Sequence, residues 1–152
     1  MLDPAALLAT LALAGSTWHP RQASAEVDVD LRAGIYTDVS ALALGGGFMS
    51  SMGSRWFFNP NLEVAIADGG NLFTVNGDFH YDLPSEGPVS LYFGGGPTLL
   101  FADPEGGGDS DTQFGLNLLV GVSGLGAQRP FAQVKGIFAD GSEVALMGGI
   151  RF

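Results

Sequence analysis

His80 lies between Asp78 and Asp82 at a spacing of two, so in an extended strand all three side chains share one face. An imidazole steadied by a carboxylate can act as a general base toward a hydroxyl nucleophile. The chain does not supply that nucleophile in pattern: His80 is followed by Tyr81 and Asp82, with no His-x-Ser-Asn arrangement. The reading adopted is an interior histidine hydrogen-bonded to neighbouring carboxylates, and no catalytic residue is assigned.

Two other features invite chemistry. Asp103 to Asp111 is acidic and glycine-rich, with oxygen ligands for a hard cation, but its spacing is not that of a calcium-binding loop, and a solvated hairpin loop explains it. Gly45-Gly46-Gly47 and Gly94-Gly95-Gly96 lack the G-x-x-x-x-G-K-[ST] spacing of a phosphate cradle and suit a tightly bent sheet wall. There is no cysteine, hence no disulfide and no thiolate metal site. No cofactor or metal is expected.

A further group of charged residues is of mixed sign: Asp28, Asp30, Arg32, Glu63, Asp78, Lys135, Glu143 and Arg151, with His80 among them. They could line a selective channel. They could equally pair with one another and plug an enclosed space, and the plug is the reading preferred. The formal net charge of −10, with a single lysine, makes nucleic acid a poor partner and excludes a basic membrane-surface helix.

These residues need a scaffold, and composition narrows it. Hydrophobic residues make up 46% of the 152 and charged residues only 14%, against about 25% in a typical soluble domain. Beyond the N-terminus no apolar run approaches the roughly 18 residues of a spanning helix. The N-terminal apolar stretch Ala5–Ala14, followed by Ala23-Ser24-Ala25, reads as a cleaved export signal over residues 1–25, although no Lys or Arg precedes it. Its removal takes away Asp3 and Arg21 and leaves the net charge unchanged.

From residue 26 onward the pattern has period two. Val27, Val29, Leu31, Ala33 and Ile35 alternate with Asp28, Asp30, Arg32, Gly34 and Tyr36. Similar alternation predicts strands over Ala41–Ser50, Asn61–Ala67, Phe73–Leu83, Val89–Phe101, Gln113–Ser123, Phe131–Phe138 and Glu143–Phe152. Clusters of Gly, Pro, Asn and Asp separate them, including Asn59-Pro60-Asn61 as the turn between the second and third. No connection is long enough for a helical crossover, so the expected fold is all-β: an eight-stranded antiparallel up-and-down barrel over residues 26–152.

Parity alone does not say which face is wet. A soluble lipocalin-like carrier puts its apolar face inward, whereas a transmembrane barrel puts it against lipid. Three features favour lipid. The apolar face is nearly free of charge. The polar face mixes both signs, as a closed interior requires. Aromatics gather at segment ends: Trp56, Phe57, Phe58, Tyr81 and Phe152 at one rim, Phe73, Phe101 and Phe138 at the other.

The eight amphipathic segments, the export signal and the ending Leu146-Met147-Gly148-Gly149-Ile150-Arg151-Phe152 resemble the small bacterial outer-membrane β-barrels, the OmpX-like, OmpA transmembrane-domain-like and opacity-type porin-like proteins. The resemblance covers residues 26–152. It implies residence in the outer membrane, with outer-membrane lipid as surroundings. It also implies a last strand, through Phe152, Ile150 and Leu146, that the barrel assembly machinery reads. Such proteins often carry long cell-surface loops; here three of the four are short, which argues against adhesion. Some lipid hydrolases of this size also use a barrel His with a Ser, the pattern missing around His80. A structural or interaction protein with a plugged lumen is expected, the alternatives being a narrow porin-like channel and a soluble carrier.

Overall fold

A computed structural model describes residues 27–152; the segment read as an export signal lies outside the described residues. Eight strands follow one another: β1 (Val27–Tyr36), β2 (Ala41–Gly53), β3 (Trp56–Ala67), β4 (Gly70–Asp82), β5 (Val89–Pro104), β6 (Asp111–Gly124), β7 (Arg129–Phe138) and β8 (Ser142–Arg151). Each pairs antiparallel with the next, and β1 pairs with β8 to close the ring. The seam runs from Tyr36 opposite Ala145 to Asp30 opposite Arg151. Reciprocal bonds between Val29 and Phe152, at 3.0 and 2.9 Å, extend it by one step. Closure leaves no edge of unpaired N–H and C=O groups.

Strand alternation sorts the side chains into two populations. Leu42, Leu44, Leu62, Phe114, Leu116 and Leu118 point outward and are exposed, whereas Asp30, Asp78 and Lys135 point inward and are wholly buried. The sorting is the reverse of a soluble barrel's. The inward face has two levels. Next to the turns 37–40, 68–69 and 139–141 lies an apolar cluster of Tyr36, Ala41, Ala43, Ala65, Leu100, Ile137, Ala145 and Met147. The polar residues fill the lumen between that cluster and the end where β1 begins and β8 finishes.

One predicted turn is a strand. Asn59-Pro60-Asn61 lies within β3, and the chain reverses instead at Gly53, Ser54 and Arg55, with φ of 87°, 51° and 69°. Asn and Pro are turn formers by local chemistry, but here the barrel uses them otherwise. Asn59 and Asn61 face the lumen and are buried. Pro60 falls opposite Phe48 in a register fixed by Gly47–Asn61 and Ser50–Phe58, and it has no N–H to give. Asn59 Nδ2 donates to the Phe48 carbonyl at 2.7 Å, supplying the ladder's missing donor from a side chain.

Candidate functional site

Among the described residues, charged side chains converge in the polar lumen. Its centre is Arg32 on β1. Nε and Nη2 grip Asp30 side-on, at 2.9 Å and 2.7–2.8 Å, the bidentate geometry a planar guanidinium favours. Nη1 reaches Glu63 Oε1 on β3 at 3.1 Å, and Nη2 also donates to Asn59 Oδ1 at 2.8 Å. Glu63 adds a partner from β7 and a second from β1. Lys135 of β7 donates to Oε1 at 2.6 Å, and the Tyr36 hydroxyl of β1 donates to Oε2 at 2.6 Å while lying 3.4 Å from Thr74 Oγ1 on β4.

Asp78 on β4 anchors the other half. It accepts from Asn61 Nδ2 at 2.8 Å and from Asn117 Nδ2 of β6 at 2.7 Å, with Lys135 Nζ at 3.9 Å. Asn76 donates to Asn61 at 3.0 Å and accepts from Thr98 of β5 at 2.6 Å. The network thus touches strands β1 and β3 to β7. The buried carboxylates Asp30, Glu63 and Asp78 stand with the buried cations Arg32 and Lys135 in the network, while Glu143 and Arg151 are buried outside it. An interior this dry tolerates ions only when they are paired and hydrogen-bonded.

Space for these groups comes from inward glycines. A Cβ at Gly45 would lie 2.8 Å from Glu63 Cγ and 3.2 Å from Arg32 Cγ. One at Gly121, opposite Tyr92, would lie 2.4 Å from the phenol ring and its hydroxyl.

Not every residue expected in the network joins it. Asp28 sits near the terminal end and pairs with Arg129. Glu143 sits at the turn end, where its Oε1 accepts from the Asp38 N–H at 2.8 Å. Both are on the inward face but at the wrong height. His80 is buried, yet neither ring nitrogen bonds to Asp78 or Asp82; the ring stacks on Tyr92 at 5.1 Å and 11°. Arg151 leans on Phe131 and Tyr92, 4.2 and 5.0 Å from the ring centroids. The uncharged members Tyr36, Asn59, Asn61, Asn76, Thr98 and Asn117 carry as many bonds as the ions, and the sequence reading gave them no role in it. Parity with Asp30 or Glu63 was the signal for them. Among the described residues no group of three or more His, Cys, Asp or Glu is placed to hold a metal ion.

On the outside, Phe152 and Leu146 are exposed and Ile150 partly so, all on the outward parity of the last strand. Trp56, Tyr81 and Phe93 form an outward aromatic row with centroid spacings of 5.1 and 5.6 Å, beside the Phe58–Phe79 pair at 5.0 Å. Phe57, expected in that rim, instead turns inward and lines the lumen mouth with Asp82 and Arg151.

No family model matches the chain, and no curated protein matches it in sequence. Solved structures do match it in shape. The N-terminal β-barrel domain of Pseudomonas aeruginosa OprF superposes with a TM-score of 0.68 at 16% identity, covering 86% of this chain and 100% of that one. Neisserial surface protein A gives 0.66 at 16% identity, covering 82% and 94%. The outer membrane enzyme PagL gives 0.56 at 12% identity, covering 82% and 98%. Likeness at such identities is one of fold. The chain therefore has the closed, eight-stranded, all-antiparallel architecture of the small outer-membrane β-barrels.

Proposed function

We propose that the chain is an integral protein of a bacterial outer membrane with a structural or interaction role, and that its lumen is plugged by its own side chains. One observation carries the reading. The wall facing away from the barrel axis is apolar and exposed on every strand, while ions and amides are enclosed and bonded to one another. Water would penalise that exterior, and lipid would not. A soluble carrier would need the opposite sorting.

The Arg32–Glu63–Lys135 group ties β1, β3 and β7 together, and the apolar cluster lies above it toward the turns. Eight strands enclose only enough room for side chains. Both points favour a plug over a narrow porin-like channel. Catalysis is not part of the proposal: His80 stacks on an aromatic ring with no serine bonded to it. Export by a cleaved signal over residues 1–25, and reading of the Leu146–Phe152 ending by the assembly machinery, complete the proposed route to the membrane.

The test is fractionation of cells producing the chain, followed by gel migration with and without boiling. A folded barrel should appear in the outer-membrane fraction and shift its migration on heating. Planar-bilayer recordings should show no discrete conductance, and a phospholipid or lipid A turnover assay no product. A folded monomer in detergent-free buffer would overturn the membrane reading, and steady single-channel currents would overturn the plug.

A further inference from the structure

At the turn end the inward face of the barrel is built from small residues. Ala65 and Ala67 of β3 and Ala102 of β5 stand there, on the faces that carry Asn61, Glu63 and Thr98 lower down. Together with Ala41 and Leu72 they line a cup of about 410 Å³ among β2, β3, β4 and β5. Its walls are continuous, because Ala65 pairs with Leu72 and Leu72 with Ala102 across the ladders. Ala67 and Leu72 pack against the buried cluster that holds Tyr36, Leu100 and Ile137, so the floor is apolar too. The Tyr36 hydroxyl bonds to Glu63 beneath, and the cup ends on the polar network. Its volume is that of a small-molecule cleft.

The mouth of this cup carries charge of one sign. Asp38, Asp68, Glu105 and Asp140 are exposed, one in each of the four turns at this end. Asp38 adjoins the lining residue Val39, and Asp68 adjoins Ala67. Asp111 of β6 lies opposite Ala102 on the same inward face. The cations among the described residues are elsewhere: Arg32 and Lys135 lie in the network, and Arg55, Arg129 and Arg151 at the terminal end. Carboxylates around a recess with low-dielectric walls focus their field into it and concentrate cations there.

We infer that the cup binds a small amphiphilic cation, with an ammonium head held at the acidic mouth and an aliphatic body seated among the alanines. Two independent observations set this class. The walls and floor select an apolar body, which gains by leaving water. The carboxylates select the sign of the head: an anion is repelled, and a neutral chain gains nothing from them. A bare ammonium ion stays hydrated and is held no better than any screened counterion. The inference depends on the mouth of the barrel and not on the medium around its outer wall.

The test is NMR of the alanine methyl groups of the folded full chain in lipid nanodiscs, titrated at neutral pH with four probes: hexylammonium, hexanol, hexanoate and methylammonium. The methyls of Ala41, Ala65, Ala67 and Ala102 should move saturably with hexylammonium, at about tenfold lower concentration than with hexanol. Hexanoate should be weaker than hexanol, and methylammonium should give no saturable shift. Ala33 and Ala132, exposed on the outer wall, should stay in place and report any partition into the bilayer. Asp68→Asn with Asp111→Asn should bring hexylammonium close to hexanol. Ala67→Leu, which fills the cup, should abolish the shifts of the remaining methyls; Ala102→Leu does the same from the opposite wall if the first variant fails to fold. Four results would overturn the site: no saturable shift, equal response to hexylammonium and hexanoate, shifts at Ala33 and Ala132 that match those in the cup, or binding undiminished when the cup is filled. A saturable response to methylammonium equal to that of hexylammonium would overturn the apolar body.

Discussion

Lys135 Nζ sits 2.6 Å from Glu63 Oε1, joining β7 to β3, and in a ring of eight those strands are four apart, on opposite walls. The pair therefore spans the lumen. Breaking it strands a carboxylate or an ammonium in a dry interior. Lys135→Met should destabilise the barrel by about 3–5 kcal/mol, the usual cost of removing one partner of a buried pair. Urea unfolding in lipid vesicles measures this. Lys135→Met with Glu63→Gln should cost less than the sum of the single changes.

The outward wall predicts a different kind of damage. Val75 and Leu116 are 42% and 58% exposed on the apolar exterior. Val75→Arg or Leu116→Arg should cost about 2–4 kcal/mol near the middle of a bilayer. Asn117→Arg, one residue from Leu116 but inward, should instead remove the donor to Asp78 and crowd the interior. The folded fraction on unheated gels, with unfolding midpoints in lipid and in detergent, separates the two. Equal tolerance of all three would contradict the assignment of faces.

Asn59 has two duties, one to the Phe48 carbonyl and one to Asp30 and Arg32. Asn59→Leu should cost about 1–3 kcal/mol through unsatisfied buried groups. Adding Pro60→Ala should return part of that loss, because the new backbone N–H can serve the Phe48 carbonyl. Unfolding midpoints of the single and double variants check it. An additive double variant would show that Asn59 does not stand in for the proline.

Gly121 and Tyr92 form a space-sharing pair. Gly121→Ala should force the phenol aside and cost about 1–3 kcal/mol as an overpacked contact. Tyr92→Leu should relieve the phenol's part of that cost, though not the approach to the Ala132 carbonyl at 2.7 Å, while loosening the His80 stack and the bond from the Tyr92 hydroxyl to Gln133. Thermal loss of the heat-modifiable form across the four-member cycle gives the coupling.

Much of this was legible before the structure, because strand parity is unforgiving. A shift of one residue turns every side chain to the other face. Thus Val27–Tyr36 and its polar partners were assigned correctly from alternation alone, as were the strand count and antiparallel order. Parity names a side but not a height along the axis. Asp28 and Glu143 were grouped with Arg32 on that account, and the register puts them at opposite ends of the barrel. Phe57 was taken for a rim residue by its neighbours, although it shares parity with the lumen residue Asn59. Asn59-Pro60-Asn61 misled for another reason: local turn preference is weak beside a wall of paired strands that needs two amides in its lumen. The inward apolar cluster was also visible in Ala41, Ala43, Ile137, Ala145 and Met147, but polarity on the same faces elsewhere obscured it.

Glu63 draws its partners from β1 and β7, positions 27 to 72 residues away in the chain. The Arg32 and Tyr36 contacts need only β1 to β3, but the Lys135 contact exists in no hairpin and in no open sheet of three or four strands. An unfinished sheet keeps the Asp30–Arg32 pair but leaves Lys135 without Glu63, so partial forms lack both a paired edge and the ion pair that crosses the lumen. Ring closure and the Lys135–Glu63 pairing then arrive together, late in assembly.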